Sequence, residues 1–289
     1  MRLGSSCFVL FAAMAVGGCD SGGGTASPSA TAMVSAANST AVASAVLRSL
    51  LGTIEAADNA RVLVLGATAS TGTLLGAFGG EAEYLWRDRD ESAAISSGDE
   101  VEALFADYLD DTFVLSDGWL GVQCVRVAGN PAVHTTWTTE ATVGVDAFAV
   151  ESGGVRNEFR GELRMEVART PTSTYSRIVV ASSMASAAAT LSPGSMLEYG
   201  TYDLDFTFLA RAAGFVESDA FEGAVSFAVT APLGGFLFEA VPSRGVLEVR
   251  GEAGLMTITL VDASTVRLAV DEDGDGVIDD EQIVDWSML

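Results

Sequence analysis

Hydrophobic and polar residues alternate with a period of two through most of the chain from Thr112 onward. The clearest run is 158–167, where one face is apolar and the other alternates Glu with Arg. Similar alternation recurs in four later segments, separated by turns rich in Gly, Asn and Pro. Strands with one apolar face and short connections are typical of antiparallel sheets with one buried side. The pattern predicts a mainly β domain over 112–289.

The N-terminal third has the helical period instead. The segment 31–58 is rich in Ala, contains no Pro and repeats an aliphatic residue every four positions. A second helix is predicted over 97–111, where Ser97 and Glu100 have the spacing of a capping box and an apolar stripe follows at helical intervals. The stripe consists of Val101, Leu104, Phe105, Tyr108 and Leu109.

Between the two predicted helices, the aliphatic run 62–65 predicts a strand followed by a polar turn. The expected architecture is an antiparallel β-meander, an open or partly closed curved sheet, with N-terminal α-helices packed on it. A helix-rich segment, 31–111, would precede the β-domain 112–289, which ends in an acidic hairpin.

The first nineteen residues indicate export. Residues 7–16 form an apolar run that follows Arg2 and is too short to span a membrane. The run ends in Val16, two glycines and Cys19. This end resembles the lipobox of bacterial lipoprotein signals, which implies cleavage before Cys19 and acylation of that residue. An ordinary secretory signal without acylation is the alternative.

The segment 19–30 is rich in Gly, Ser and Pro and is expected to be a flexible tether. With residues 1–18 removed as a signal peptide, acyl chains on Cys19 would hold the protein at a membrane of the bacterial cell envelope, facing the periplasm or the surface. The sequence leaves open whether this is the inner or the outer membrane.

Composition excludes several chemistries. The 289 residues include 39 Asp and Glu against 15 basic residues, all of them Arg, for a net charge of -24. Without Lys there is no P-loop lysine, Schiff base or Ser-Lys dyad, and one His forms no multi-His metal site. The negative charge argues against nucleic acid as a partner, because it repels phosphates. Cys124 has no disulfide partner in the mature chain and is expected to be a buried apolar residue.

The stretch 271–282 has the ligand spacing of an EF-hand-type calcium loop. Carboxylates fall at positions 1, 3, 5 and 9, and a glycine at position 6 allows the tight turn. Position 12, which usually holds a bidentate Glu, is Gln282, and the flanks predict strands, so the loop would lie in a β-hairpin. A solvated acidic turn without Ca²⁺ is the alternative. The candidate metal ligands are Asp271, Asp273, Asp275, the carbonyl of Val277 and Asp279, with Asp280 or Glu281 as an extra ligand.

The C-terminal segment, from Val266 through the Gly-Asp-Gly turn to Trp286 and Leu289, is similar to the closing segment of a group of uncharacterised proteobacterial lipoproteins. Together with the lipobox, this resemblance implies a surface or periplasmic lipoprotein, and it implies no particular activity. Another charged stretch, 86–91, alternates Arg with acidic residues and is interpreted as a salt-bridged, solvated loop.

The sequence favours a lipid-anchored, non-enzymatic envelope protein that acts as a binding or structural module with a calcium loop. One alternative is an envelope hydrolase that uses a pair of carboxylates. A second is a carrier for an apolar ligand, and a third is an assembly or adhesion factor whose acidic face needs calcium. The carrier's cavity would be lined by Leu204, Phe206, Phe208 and Phe227, with Phe236 and Phe238, unless these residues simply form the core.

Overall fold

The computed structural model describes residues 30–109, 114–152, 155–239 and 241–289. The signal sequence and the predicted acylation site Cys19 lie outside the described residues. Within these ranges the protein consists of one long α-helix, one antiparallel sheet and two short 3₁₀ turns.

The helix, α1, spans Ser39–Gly66. It begins and ends eight residues later than the predicted segment 31–58, and the strand predicted at 62–65 is wrong. Leu63 and Val64 continue the buried face that includes Ala56 and Ala60, because residues three and four apart share one side of a helix. An aliphatic run of four residues does not distinguish a strand from the last turn of a buried helix.

Fifteen strands follow α1 in the described part of the chain. They are β1 Thr71–Leu75, β2 Gly79–Arg87, β3 Glu100–Leu109, β4 Leu115–Ala128, β5 Trp137–Ser152, β6 Val155–Thr170, β7 Ser173–Ala185, β8 Thr190–Leu191, β9 Met196–Tyr202, β10 Thr207–Ser218, β11 Gly223–Phe236, β12 Arg244–Arg250, β13 Leu255–Leu260, β14 Thr265–Asp271 and β15 Asp280–Asp285. The 3₁₀ turns are Asp219–Phe221 and Trp286–Met288.

The sheet is a meander in which strands that follow one another in the chain pair antiparallel, from β1 at one end to β15 at the other. The one variation is that β8 and β9 both pair with β7 and with β10. The predicted antiparallel meander with N-terminal helix packed on it is therefore confirmed, with one helix in place of two.

The helix lies on the concave face of the sheet. It packs against β3 through β7, against β9 and β10, and against β14, so strands near both ends of the sheet reach the same helix. The sheet therefore curves around α1, and the helix and strand side chains share one continuous hydrophobic core. The largest fully buried side chains include Leu47, Leu50 and Leu63 of the helix and Phe148 and Phe159 of the sheet.

Length and hydropathy alone would allow α1 to cross a membrane. In this fold 61% of its most apolar window is buried inside the protein, which is what the central helix of a folded domain requires.

The helix predicted over 97–111 is wrong, because Glu100–Leu109 forms strand β3. Val101, Ala103 and Phe105 are buried in alternation, and a β-bulge then places one extra residue before the next buried side chain, Tyr108. The bulge increases the spacing between buried residues from two to three, and a spacing of three is also typical of a helix. Leu104, which the helical stripe would bury, is 56% exposed on the outer face of the sheet. The helix-rich segment accordingly ends at Gly66, well before residue 111.

Cys124 lies in β4 with its side chain in the core, as predicted. Burial raises the pKa of its thiol to about 12, so the thiol stays protonated and unreactive at neutral pH.

We expect Gly52→Ala to destabilise the protein although Ala favours helices over Gly by about 1 kcal/mol. A Cβ atom at this position would lie 2.1 Å from Cζ of Phe159, whose ring is buried and cannot move away freely. Overpacking of this kind costs about 1–3 kcal/mol. The measurement is the melting temperature of the single variant and of Gly52→Ala combined with Phe159→Leu. With the smaller Leu at position 159, Gly52→Ala should be neutral or stabilising. A higher melting temperature for Gly52→Ala alone would contradict the packing described.

Candidate metal centres in two acidic loops

The predicted calcium loop connects β14 to β15. Asp271 is the last residue of β14 and is 2% exposed, whereas the residues 272–279 that follow it are exposed. The flanking segments are strands, so the loop closes a β-hairpin, as the sequence indicates.

Carboxylates organise the backbone of this loop. Asp271 accepts hydrogen bonds from the amides of Gly274 (2.7 Å) and Gly276 (2.9 Å). Asp273 accepts from the amide of Asp275, and Asp275 from that of Val277. Gly274 and Gly276 have φ angles of 75° and 90°, in the left-handed region that favours glycine. The side chains of Asp271, Asp273 and Asp275 each bring one carboxylate oxygen within 4.8 Å of the others.

The remaining candidate ligands lie outside this triad. Asp279 accepts a hydrogen bond from the amide of Glu272 at 2.8 Å, and its own amide donates to the carbonyl of Val270, so it closes the base of the loop. Val277 is 62% exposed at the tip. Gln282, at position 12, donates its side-chain amide to Ser39 Oγ at the start of α1. This hydrogen bond holds the start of the helix against β15.

A second acidic triad lies in the loop between β2 and β3. It consists of Asp88, Asp90 and Asp99, and again one carboxylate oxygen from each lies within 4.8 Å of the other two. Asp88 accepts from the amides of Ser92 (3.2 Å) and Ala93 (2.7 Å), and Asp90 accepts from the amide of Ser92 at 3.1 Å. The interpretation of 86–91 as a salt-bridged loop is therefore incomplete.

The two loops share one local conformation. Counting from Asp88, the left-handed residues are Glu91 (φ 58°) and Ala93 (φ 57°), at positions 4 and 6, which are also the positions of Gly274 and Gly276. In both loops the first carboxylate accepts from the amide at position 6 and the third-position carboxylate from the amide at position 5. Two unrelated stretches of sequence thus share the same left-handed positions and two of the same carboxylate-to-amide hydrogen bonds.

Asp99 occupies position 12 of the second loop and is fully buried. Its carboxylate accepts hydrogen bonds from Trp86 Nε1 (3.3 Å) and from the amides of Arg89 (2.9 Å) and Ser96 (2.9 Å). These donors compensate for the loss of water around a buried carboxylate. Asp99 therefore belongs to the rigid part of the site.

Hydrogen bonds favour the ionised state of Asp90, one member of the second triad. Hydrogen bonds, led by that of the Ser92 side chain, hold the pKa of Asp90 below its ordinary value. The nearby arginines are engaged elsewhere: Arg87 pairs with Glu100 and Glu102, and Arg89 pairs with Glu100. Three carboxylates this close repel one another unless a cation offsets their charge. Each of the two acidic triads could hold a metal ion.

Sequence reasoning missed the second triad. The signal is present in the order Asp88, Asp90, Ser92 and Asp99, which occupies positions 1, 3, 5 and 12 of a calcium loop. Ala93 stands where the motif has glycine, and the intervening arginines favour a salt-bridge interpretation. A left-handed conformation of Ala93 is not predictable from its side chain, because non-glycine residues rarely adopt it.

The residues proposed to line an apolar cavity are dispersed. Leu204 and Phe206 are 77% and 65% exposed in the β9–β10 turn, Phe227 is in the core, and Phe208 is half-buried beside Tyr199. Phe236 and Phe238 stack on each other, 5.1 Å between ring centres, and are exposed.

Two clefts between α1 and the sheet have volumes of about 50 and 70 Å³. They are far smaller than the 300–1,000 Å³ typical of sites for small organic ligands. A shallow depression of about 510 Å³ lies on the outer face of the sheet, across β4 to β7, and is lined by Glu140, Arg164, Glu166 and Arg177 among others. On the concave face, by contrast, α1 leaves only small clefts among the described residues and fills the space that a carrier would reserve for its ligand.

We expect Asp99→Asn to lower the free energy of unfolding by about 1–3 kcal/mol, because the amide cannot accept all the hydrogen bonds that the carboxylate accepts. Urea unfolding followed by tryptophan fluorescence measures the loss. Asp262→Asn is the matched control, since Asp262 also accepts from a turn amide, that of Ser264, but is exposed. Equal stability of the two variants would show that the buried network contributes little.

No known protein family matches this chain, and neither a curated protein nor a solved structure is significantly similar to it.

Proposed function

We propose that this protein is a lipid-anchored, non-enzymatic protein of the bacterial cell envelope whose two acidic loops bind Ca²⁺. The calcium ions would act as structural ligands in a binding or structural module. The proposal is carried by the features common to the two loops. In both, the carboxylate at position 1 accepts a hydrogen bond from the amide at position 6, and the carboxylate at position 3 accepts one from the amide at position 5. A third oxygen-bearing side chain follows at position 5.

Calcium suits these loops better than other biological cations. It is a hard ion that takes six to eight oxygen ligands, and the loops offer carboxylates, a serine hydroxyl and main-chain carbonyls. The triads contain no His and no Cys, the usual ligands of zinc. Loops with few carboxylate ligands bind weakly, with dissociation constants of about 10⁻⁴–10⁻³ M that suit extracellular calcium.

A structural role follows from what the 271–280 loop touches. Glu272 Oε1 accepts a hydrogen bond from the amide of Ala36 at 2.8 Å, just before α1, and Gln282 donates to Ser39 in the first turn of α1. The loop and its flank thus hold the start of the helix against the last strand of the sheet. A calcium ion that stiffens the loop would also stiffen this junction.

Four carboxyl groups of this protein are poor candidates for the general acid of a carboxylate hydrolase. Hydrogen bonds from Ser and Arg neighbours lower the pKa of Asp90, Glu100, Asp262 and Asp285. A general acid needs the opposite shift. Carboxylates that stay ionised at neutral pH are suited to holding a cation.

Calcium is expected to raise the melting temperature of the full-length protein, by an amount that corresponds to about 1.4 kcal/mol for each site when its concentration is ten times the dissociation constant. Calorimetric titration should resolve two sites, with Asp90→Asn removing one and Asp273→Asn the other. Asp262→Asn, outside both triads, should leave both sites intact. If millimolar calcium produces neither heat nor a change in melting temperature, the proposal is wrong.

Membrane anchoring is tested separately by Cys19→Ala. Without the acylated thiol we expect the protein to move from the membrane fraction to the soluble envelope fraction and to lose incorporation of labelled palmitate, since a single short apolar run does not anchor it. Cys124→Ala is the matched control and should stay membrane-bound. Palmitate labelling of the Cys19→Ala variant would contradict the anchor.

A further inference from the structure

We propose that the tip of the 271–280 loop docks on the anionic lipid surface of the membrane that carries the acyl anchor, with the loop's calcium ion bridging its carboxylates to lipid phosphates. This inference rests on the calcium binding and the Cys19 anchor proposed above. It adds a partner and an orientation: the acidic hairpin faces the bilayer.

The path of the chain before α1 places the anchored end of the protein beside this loop. Thr31 donates its amide to the carbonyl of Ala224 at the start of β11, and Val34 donates to Ala253 in the β12–β13 turn. Ala36 then reaches Glu272 in the acidic loop. The first described residues therefore run along one end of the sheet, past three of its connections, and reach the loop.

The chain outside the described residues is short enough to keep this end near the bilayer. Cys19 lies twelve positions before Thr31, and a fully extended chain covers about 3.3–3.6 Å per residue. The acyl anchor and Thr31 can therefore be separated by no more than about 40 Å. The acidic loop lies a few residues further along the same path, within reach of the lipid headgroups.

The loop carries exposed aliphatic side chains at its tip. Val277 is 62% exposed and Ile278 48% exposed, and they follow directly on the carboxylates of the triad. Met33, on the segment that leads to the loop, is 61% exposed. Apolar side chains at the tip of a charged loop gain free energy at the boundary of headgroups and acyl chains.

Charge explains why the contact would require calcium. Residues 271–281 include seven acidic side chains, which an anionic leaflet repels. A calcium ion held by Asp271, Asp273 and Asp275 offsets part of the negative charge of the triad and can take further oxygen ligands from lipid phosphates, because its coordination number exceeds the oxygens of the triad. Docking is thereby restricted to the calcium-loaded loop.

Another exposed apolar cluster, Phe236 with Phe238, lies at the opposite end of β11. Phe236 is twelve positions beyond Ala224, about 40 Å along the strand at 3.3 Å per residue. Phe236 and Phe238 therefore face away from the tethered end and provide a control surface on the same molecule.

The test uses the full-length acylated protein in vesicles of phosphatidylethanolamine and phosphatidylglycerol. An environment-sensitive fluorophore is attached to Ile278→Cys in one sample and to Phe238→Cys in another; Cys124 stays unlabelled because its buried thiol has a pKa of about 12. Calcium is then added and removed with a chelator, and calorimetry measures calcium binding by the same labelled proteins. Vesicles of phosphatidylcholine alone provide the neutral surface.

We expect calcium to shift the emission of the probe at position 278 to the blue and to make it accessible to lipid-borne quenchers, reversibly and only with phosphatidylglycerol. The probe at position 238 should not change. If the 278 probe stays in water while calorimetry records calcium binding, the docking is wrong and the calcium site stands. If calcium binding is also absent, the proposed function fails with it. A shift at position 238, or a shift at 278 that persists in chelator, overturns the proposed orientation or the calcium bridge.

Discussion

The packing of α1 against the concave face of the sheet is the interaction on which the rest of the structure depends. An open antiparallel sheet with one apolar face is unstable alone in water, since that face must be covered. Here a single helix covers it, and strands from β3 to β14 curve to reach that helix. Gly52 shows how close the approach is, because it leaves room for the ring of Phe159 directly against the helix backbone.

The N-terminal part of the helix is fastened to the last part of the chain. Gln282 bonds to Ser39, and the carbonyl of Leu289 accepts from Ser44 and from Arg48. The final strand is therefore held by the helix as well as by β14. The acidic loop between β14 and β15 is therefore well placed to affect stability, because it lies where the first and last elements of the described fold meet.

The two ends of the sheet differ in their protection. The end strand β15 carries acidic side chains, which discourage pairing with another chain. At the other end β1 is short, with only five residues. The long inner strands, β4 to β7, are paired on both sides, and the acidic loops lie on connections between strands, where binding residues usually lie.

Most of the sheet could be predicted from the sequence because alternation with a period of two survives over long stretches of its strands, as in 158–167. β3 could not, because its bulge at Asp107 changes the spacing of the buried residues from two to three. The last turn of α1 was missed for a related reason, since four aliphatic residues fit a strand and a buried helix equally well. Prediction from the local sequence pattern fails where a bulge or a tertiary contact sets the spacing of the buried residues.

The same distinction applies to the candidate sites. The 271–280 loop was recognisable because glycines stand at both left-handed positions, so the backbone conformation can be predicted from residue types. The 88–99 loop adopts that conformation with Glu91 and Ala93, and its third carboxylate, Asp99, comes from the start of the next strand. Only the folded arrangement brings Asp99 to Asp88 and Asp90.

Diffraction from crystals grown with calcium, recorded at a wavelength where calcium scatters anomalously, would show directly whether the two acidic loops bind the ion. The account predicts one anomalous peak in each acidic loop, with oxygen ligands at about 2.3–2.6 Å that include Asp271, Asp273 and Asp275 in one loop and Asp88, Asp90 and Asp99 in the other. Loops without a peak at millimolar calcium, with their carboxylates still bonded only to protein hydrogen-bond donors, would contradict the two calcium sites.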